Sequence, residues 1–598
     1  MKQQISSKKV CIILFVMITL QVLFITNGYI HKKDYHSDEV WSFGLANSSD
    51  GPYIYVNDDE TEVKNAFKWL SGDVIRDYVS VKEEDRFSYA SVIYNLGEDQ
   101  HPPLFYMIIH TISSIFPNTY TLWYGYIVNV IAFIITQIFM YKTVRDLSES
   151  KLMGICACLL WGFSVAAMSI AIFVRHYAVS VMFMLISCYY HTRLIKYKDY
   201  KDSTIVKIAI ITFLGCMSNH YFTMCEFFIA AYTCVVLLIR RKYIVLIKYA
   251  VAQLGAVAIF LFVCFPAALR QMFGRSTYSV TMKKANYDYQ FWCCLNYMFS
   301  EVFGIYTPIY GTMFWVYFDV AVMILSLVAI VCAIVFRNEV WFKRFVKNIV
   351  HGIRKWVYIL KTKLKYFPVM LPCLYIVAMA NLLIIAYMIS VPLMAEYTDR
   401  YLFVSFPLIF IAIFVTLYYV IKLVMGKKNI NRYVGILTLI GIILIGCSHV
   451  IYKTPYLFEK TAKIDKPDYL TNKEVDEYLD GNDCIIGYDE YWCLTMAPEY
   501  AYKVDNFFAF PLEYYEALPY FDKPENDNEV YLFCDIEDTK ATTEFFGVTL
   551  EYDDEERANG INREHFMNVI KQIPYVEDIE YLGYTYSFGR YFELYKLK

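Results

Sequence analysis

Apolar runs of about 20 residues recur along the first three quarters of the chain, each long enough to cross a hydrocarbon core as a helix. They begin at Cys11 and end at His449, and short polar segments separate them. In lipid, every backbone N–H and C=O group needs a partner within the protein, so such runs must be helical. The pattern therefore predicts a multispanning α-helical membrane protein.

Eleven of these runs are predicted to cross the membrane, and the basic loops between them assign the sides. Because cytoplasmic loops are enriched in lysine and arginine, the N-terminus is placed in the cytoplasm and the tail after residue 450 outside. This assignment requires that residues 101–117, which end at Pro117, form a short interfacial or re-entrant helix. If they cross, every later side is reversed. The predicted spans are residues 11–30, 121–142, 152–173, 177–195, 204–217, 222–239, 243–265, 312–336, 368–389, 403–424 and 433–450.

The tail differs in composition from the rest of the chain. Residues 451–598 hold 32 acidic and 14 basic residues, whereas the remainder holds 26 acidic and 41 basic residues. In the tail, the strand-like runs "DCIIGY", "EVYLFCD" and "YFELYKL" alternate with helical stretches such as "INREHFMNVIKQI". We therefore predict a transmembrane domain of residues 1–450, with a first outer loop at 31–100, and a separate extracytoplasmic α/β or α+β domain of residues 451–598.

The overall composition, 58% hydrophobic and 19% charged, is atypical of a soluble protein, so the polar groups near the spans stand out. They collect at the predicted outer ends, where charged side chains are costly and are by default candidates for function. Arginine binds phosphate bidentately, and a facing carboxylate could deprotonate an acceptor hydroxyl. This pattern favours glycosyl transfer from a lipid-phosphate sugar, with inversion of the anomeric carbon by a single base. The groups are Asp38 and Glu39; Glu98, Asp99 and His101; Arg175, His176 and Tyr177; Asn219, His220 and Tyr221; and Asp399, Arg400 and Tyr401.

These residues also have structural interpretations. Asp38 and Glu39 could be solvated loop charges, and His220 could be a satisfied polar residue between helices. Arg175 and Arg400 could anchor the chain at the interface. For the whole protein, a transporter or flippase of a lipid-linked glycan is an alternative, although transporters place polar residues near the bilayer midplane. A membrane anchor that displays the tail is a third possibility, but one or two spans would suffice for it.

Five short sequences occur along the chain in an order typical of one group of enzymes. "HSDEVWS" follows the first span, "HPPLFY" closes the first outer loop, "RHYAV" and "NHYF" open later spans, and "DRYLFVSFP" enters the tenth. Together they resemble integral-membrane glycosyltransferases of the GT-C superfamily, in particular the group of protein O-mannosyltransferases and lipid A aminoarabinose transferases. The resemblance covers roughly residues 10–450 and does not include the tail.

The resemblance implies a polyprenyl-phosphate-sugar donor and an acceptor hydroxyl or amine on an envelope glycan, lipid or protein, joined at the outer face of the cell membrane. No nucleic acid partner, cofactor or obligatory metal is expected, although some members of the superfamily pair an Asp with a divalent cation. By the same resemblance, Asp38 is the base and Glu39 supports it. The other implied roles are the donor phosphate and sugar site for Arg175, Tyr177, Arg400, Tyr401 and His220, and the acceptor loop for His101, Glu98 and Asp99.

Overall fold

The computed structural model describes most of the helical region and most of the tail. The predicted span at 312–336 lies outside the described residues. The continuous described segments are 6–32, 35–54, 66–273, 287–305, 367–388, 398–424, 430–452, 468–488, 491–534, 563–587 and 590–598, with a short hairpin within 543–550.

Long apolar helices make up the first part of the chain. Among the described residues, seven are long and apolar enough to cross a membrane, or eight when α7 and α8, bent by 60°, are taken as one broken span. The protein is therefore a mostly helical, multi-pass membrane protein. The helices are α1 (Ser7–Ile30), α2 (Ser37–Asn47), α3 (Asp73–Val79), α4 (Tyr89–Glu98), α5 (Leu104–Ile115), α6 (Trp123–Ser148), α7 (Lys151–Gly162), α8 (Val165–Ile172), α9 (Tyr177–Lys196), α10 (Asp202–Cys216), α11 (His220–Ile239), α12 (Tyr243–Ile259), α13 (Ala267–Phe273), α14 (Tyr287–Phe303), α15 (Leu371–Met388), α16 (Phe406–Val424), α17 (Ile430–Tyr452), α18 (Asn472–Leu479), α19 (Ala497–Tyr500) and α20 (Arg563–Ile570).

Some predicted spans are shorter helices in the structure. Helix α5 has 12 residues, so the stretch at 101–117 is too short to cross the membrane, as its apolar length predicted. Helix α10 has 15 residues, and the apolar part of α15 is Leu371–Ala386, which leaves both below the length of the seven long helices. The total of eleven crossings therefore stays a prediction.

The tail folds around a mixed six-stranded sheet. Its order is β1-β3-β2-β4-β8-β7; β2 is parallel to β3 and β4, and the other neighbours are antiparallel. Strand β2 is buried along its whole length, as expected for a central parallel strand covered on both faces. The strands predicted in the tail are confirmed. The strands are β1 (Trp69–Ser71), β2 (Asp483–Tyr488), β3 (Asn506–Pro511), β4 (Val530–Cys534), β5 (Thr543–Phe545), β6 (Val548–Leu550), β7 (Ile579–Ser587) and β8 (Arg590–Leu597).

The edge strand β1 comes from the loop after α2, not from the tail. It pairs antiparallel with β3, with Trp69 opposite Phe508. Residues 451–598 therefore do not form the sheet alone, and the prediction that the tail is a separate unit is wrong in this respect. A strand of three residues is too short to show an alternating pattern in the sequence. It forms only because its pairing partner, β3, lies more than 400 positions away in the chain and offers an edge.

The tail also rests on the helices of this loop. The 3₁₀ segment Tyr491–Met496 packs against α2. The guanidinium of Arg76 on α3 donates hydrogen bonds to the carbonyl oxygens of Tyr502, at 3.1 Å, and Val504, at 2.9 Å. The tail is thus in direct contact with α2, the helix that carries Asp38.

Candidate active site

Helix α2 begins with a capping box that fixes the acidic pair. The imidazole of His36, at the N-cap, accepts a hydrogen bond from the Asp38 amide at 3.0 Å, and the His36 amide donates to Glu39 Oε2 at 2.9 Å. Acidic side chains in a first turn are also favoured by the positive end of the helix dipole. The short sequence "HSDE" therefore places two carboxylates at one helix end in fixed orientations.

The Asp38 carboxylate lies between two guanidiniums. Its Oδ1 is 3.7 Å from Arg175 Nη2, and its Oδ2 is 3.5 Å from Arg400 Nη2 and 3.8 Å from His36 Nδ1. These distances exceed the 2.7–2.9 Å of a charge-assisted hydrogen bond. The structure thus brings together three predicted site residues from distant parts of the chain in an ionic arrangement with room between the groups.

Electrostatics keep the Asp38 carboxylate ionised. Burial alone would raise its pKa, but Arg175, His36 and Arg400 together hold the pKa well below its usual range. Because the folded-state pKa lies below the unfolded value of about 3.9, Asp38 contributes stability above that pH. This contribution is lost as the pH falls towards the folded-state pKa.

Arg175 is the more deeply buried of the two arginines. It follows α8 in the turn before α9, and its side chain is 3% exposed. Its Nη1 donates a hydrogen bond to Ser42 Oγ at 3.0 Å, and its Cζ lies 5.9 Å from the ring centre of Tyr106. Its Nε has no hydrogen-bond partner among the described residues. A buried guanidinium with an unused donor is suited to binding an anion.

Arg400 approaches the carboxylate from the 3₁₀ segment Thr398–Leu402. Its guanidinium carbon lies 5.0 Å from the ring centre of Tyr401, and its side chain is 16% exposed. The Tyr401 ring in turn lies 5.8 Å from that of Tyr221 on α11. Tyr401 therefore sits beside the arginine and orients it by a cation–π contact. Its place at the donor phosphate and sugar stays a prediction.

Glu39 turns away from the guanidiniums. It is fully buried, its Oε2 pairs with Lys32 Nζ, and its Oε1 accepts a hydrogen bond from the Val174 amide at 2.7 Å. This carboxylate therefore ties α2 to the residue just before Arg175. Glu39, which is predicted as a catalytic residue that supports Asp38, has a positioning role in this geometry.

The loop before α5 separates into one residue outside the site and two within it. Glu98 pairs with Arg270 at 3.1 Å, and both side chains are well exposed. The charge of Glu98 therefore faces the surface, and its place in the acceptor loop stays a prediction. By contrast, Asp99 Oδ2 lies 2.5 Å from His101 Nδ1, and the His101 ring lies 4.9 Å from that of His176.

His220 and Tyr177 lie beside the site, and Tyr177 is near enough to Asp38 and Arg400 to interact with their charges. His220 Nε2 is 3.0 Å from Gln271 Oε1, and the Gln271 amide donates to the carbonyl oxygens of Leu96 and Asp99. His220 thus supports the Asp99 loop rather than an arginine, which does not favour its predicted place at the donor phosphate. Tyr177 is buried, with its ring 4.4 Å from that of His176.

Three further polar residues complete the site. Ser42 contacts Arg175 and follows Asp38 by four positions on α2, so helical spacing alone places both on one face. Tyr106 Oη and His176 Nδ1 are buried without hydrogen-bond partners among the described residues. Tyr106 lies within "HPPLFY", where the sequence draws attention to His101, and His176 is one of the polar groups at the predicted outer ends. The sequence shows that both are present and does not show where their side chains point.

No three His, Cys, Asp or Glu side chains come close enough to share a metal ion within the described segments. The expectation that the protein needs no metal stays a prediction.

Comparison with known proteins supports the resemblance for one segment. A family model described as dolichyl-phosphate-mannose-protein mannosyltransferase matches residues 100–269, which include "HPPLFY", "RHYAV" and "NHYF". The resemblance to this group is thereby confirmed for that segment. Asp38 and Arg400 lie outside it. Among curated proteins, none matches the chain.

Two solved structures align with the chain over nearly its whole length. One is ArnT from Cupriavidus metallidurans in the apo state, with a TM-score of 0.46, 9% identity, and 98% of each chain covered. The other is the same protein bound to undecaprenyl phosphate, with a TM-score of 0.42, 9% identity, and 93% of this chain and 96% of that chain covered. Because both TM-scores are below 0.5, the functional proposal is based on the geometry of the site and on the segment that the family model matches.

Proposed function

We propose that this protein is an inverting glycosyltransferase that moves a sugar from a polyprenyl-phosphate donor to an acceptor hydroxyl or amine. The acceptor belongs to an envelope glycan, lipid or protein, and transfer takes place at the outer face of the cell membrane. The N-terminus then lies in the cytoplasm and the tail outside. The transmembrane domain spans residues 1–450 and carries the site, and residues 451–598 cap it together with β1.

One observation carries the proposal: a carboxylate is held between two guanidiniums at distances longer than hydrogen bonds. Asp38 lies 3.7 Å from Arg175 and 3.5 Å from Arg400. Such spacing suits a third, anionic group that shares the arginines. The donor phosphate is an anion of this kind, and guanidinium recognises phosphate with paired donors.

The reaction follows from the charges. Arg175 and Arg400 hold the donor phosphate and stabilise the charge that develops on it as it leaves. Their contact with phosphate weakens their hold on Asp38, which raises the basicity of that carboxylate. Asp38 then removes the proton from the acceptor while the acceptor attacks the anomeric carbon from the side opposite the phosphate. A single displacement of this kind inverts the anomeric configuration.

Sugar transfer is tested directly with the full chain reconstituted in lipid nanodiscs. Each member of a panel of polyprenyl-phosphate sugars is added with membrane extract as the acceptor source, and products are identified by mass spectrometry. We expect one donor to lose its sugar to an extract component in the wild type and none to do so in Asp38→Asn. If every donor in the panel stays intact with the wild-type protein, the proposal is overturned.

A transporter of a lipid-linked glycan is the second candidate, because one ionisable pair lies inside the helical bundle. Glu226 and His191 are buried on α11 and α9, 3.8 Å apart. A transporter predicts a water path along these helices to the opposite side of the membrane. Labelling of cysteines introduced along α9 to α12 measures that path, and protection of the deep positions excludes it.

A further inference from the structure

The site holds a second pair of groups suited to proton transfer. Asp99 Oδ2 lies 2.5 Å from His101 Nδ1, so the carboxylate fixes the orientation of the imidazole. Nδ1 makes the only hydrogen bond of this imidazole among the described residues, which leaves Nε2 available. The Asp99 side chain is 10% exposed and the His101 side chain 26%, so the pair connects the buried site with water.

The surroundings of His101 belong to the candidate active site. The rings of His176, from the turn before α9, and Tyr106, on α5, have centres 4.9 Å and 6.3 Å away. The Tyr106 ring also lies 5.9 Å from the guanidinium carbon of Arg175, whose Nη2 is 3.7 Å from Asp38 Oδ1. His101 and Asp38 therefore border the same group of side chains. The other charged and titratable groups that face this region are Arg175 beside Tyr106, His220 at the start of α11 and Asp99 itself.

Asp38 is well placed to take a proton and poorly suited to keep it. Two guanidiniums flank its carboxylate, and their positive charges favour the ionised form. Its pKa, lowered by Arg175, His36 and Arg400 against the effect of burial, means that a proton on Asp38 passes readily to a more basic neighbour. An imidazole is the side chain that ordinarily changes charge near neutral pH.

We propose that His101, oriented by Asp99, receives the acceptor's proton from Asp38 and releases it to water. The proposal rests on the proposed function. A lone pair on the acceptor oxygen or nitrogen forms the new bond to the anomeric carbon, and the O–H or N–H bonding pair stays on that atom as its proton leaves. The bond from the anomeric carbon to the phosphate oxygen breaks with its electrons on the phosphate. The proton passes from the acceptor to Asp38 and then, through a solvent bridge, to Nε2 of His101. The imidazolium beside Asp99 then loses its proton to bulk water.

A structural role for the pair predicts different behaviour. If His101 only shapes the loop before α5, its replacement weakens acceptor binding or folding, and added base restores nothing. If it accepts a proton, its replacement lowers kcat and changes the pH dependence of kcat, while the affinity for polyprenyl phosphate is kept. If the relay operates, kcat falls on the acid side of the pH–rate profile, because a protonated imidazole cannot accept another proton.

The test uses the full chain in nanodiscs, with the donor identified in the transfer assay. The variants are His101→Asn, Asp99→Asn and His101→Ala, and His565→Asn is a matched control, because His565 is an exposed histidine paired with Glu516 in the tail. We expect kcat to fall by about 10- to 100-fold in His101→Asn and by less in Asp99→Asn. The acid limb of the kcat profile should be lost in His101→Asn and kept in the control.

Chemical rescue and binding separate the proton role from a structural one. Imidazole added to His101→Ala should restore part of kcat, and polyprenyl phosphate should bind all variants within about twofold of wild type. If His101→Asn keeps full activity and an unchanged pH profile, the proton relay is overturned, and the proposed glycosyl transfer is unaffected. Loss of polyprenyl phosphate binding, or no rescue by imidazole, likewise assigns the pair a structural role. If the wild type transfers no sugar, the proposed function itself fails.

Discussion

Two buried polar clusters in the helical region use their polar atoms in opposite ways. The Asp38 cluster, formed by Asp38, His36, Arg175 and Arg400, lies at one end of the bundle. Its two ion pairs measure 3.5 and 3.7 Å, and Arg175 Nε has no hydrogen-bond partner among the described residues. Buried polar groups are normally satisfied, and exceptions call for an explanation such as a missing ligand.

The Glu226 cluster lies inside the bundle, and its polar groups form hydrogen bonds with one another. Ser187 Oγ donates to Glu226 Oε2 at 2.6 Å, and Thr212 Oγ1 donates to Oε1 at 3.1 Å. His191 Nε2 lies 2.8 Å from Tyr249 Oη. These five residues join the neighbouring helices α9, α10, α11 and α12. Depth alone therefore does not distinguish the two clusters, whereas unfilled hydrogen-bonding capacity does.

The largest effect is expected from Asp38→Asn. Loss of the base should lower transfer by about 1,000-fold, within the range of general base catalysis. Removing one negative charge between two guanidiniums should also tighten binding of polyprenyl phosphate. Transfer is measured by product formation and binding by titration in nanodiscs.

A matched control for this change is Asp73→Asn, which removes another first-turn carboxylate, exposed at the start of α3. It should leave both transfer and binding unchanged. If Asp38→Asn transfers sugar at the wild-type rate, the cluster is not the catalytic centre. If it binds phosphate more weakly, the carboxylate and the phosphate do not share the arginines.

The next effect is expected from replacing an arginine with lysine. Arg175→Lys keeps the charge and loses the paired donors, so it should weaken polyprenyl phosphate binding by about 1.5–3 kcal/mol, or roughly 10- to 150-fold in Kd. Arg400→Lys should cost less because Arg400 is partly exposed. Arg193→Lys, at the far end of α9, is the control. An equal loss in Arg193→Lys would show that the effect is not specific to the cluster.

A smaller loss of transfer is expected from Glu39→Gln. It removes the negative charge that faces buried Lys32, and breaking a buried ion pair typically costs about 3–5 kcal/mol of stability. A displaced Arg175 should lower transfer by about tenfold. Thermal unfolding and product formation are measured against Glu474→Gln, another capping-box glutamate, on α18 in the tail. Unchanged unfolding in Glu39→Gln would contradict the positioning role.

The sequence carried enough information to place the Asp38 cluster at one end of the bundle. Alternating sides of the spans predicted that Asp38, Arg175 and Arg400 lie at the same end of the helical bundle. The orientation of Glu39 could not be read in this way. Adjacent residues on a helix point about 100° apart, and the partner that decides where Glu39 points is a backbone amide 135 positions away.

The remaining differences also come from long-range contacts. Glu98 turns outward because Arg270 lies beside it, and β1 is a strand only because β3 offers an edge. A lone glutamate in an apolar run gives no sign of its hydrogen-bond partners, so the Glu226 cluster had no signal in the hydropathy pattern. Sequence order thus predicts which residues share an end of the bundle, and side-chain packing decides what each of them contacts.

The smallest effect on transfer is expected at the Glu226 cluster. Substitutions there test whether a buried cluster whose polar groups are already paired contributes to stability alone. Glu226→Leu deletes the acceptors of Ser187 and Thr212 and should lower stability by about 1–2 kcal/mol, the upper range for hydrogen bonds between membrane helices. Glu226→Gln keeps an acceptor and should cost less. Both should transfer sugar at the wild-type rate at temperatures where they stay folded, because the polar groups of the cluster are already paired with one another. Unfolding midpoints and product formation are measured on the same samples. If Glu226→Gln keeps its unfolding midpoint and loses transfer, the saturated cluster takes part in function, and unfilled hydrogen-bonding capacity is not what separates the two regions.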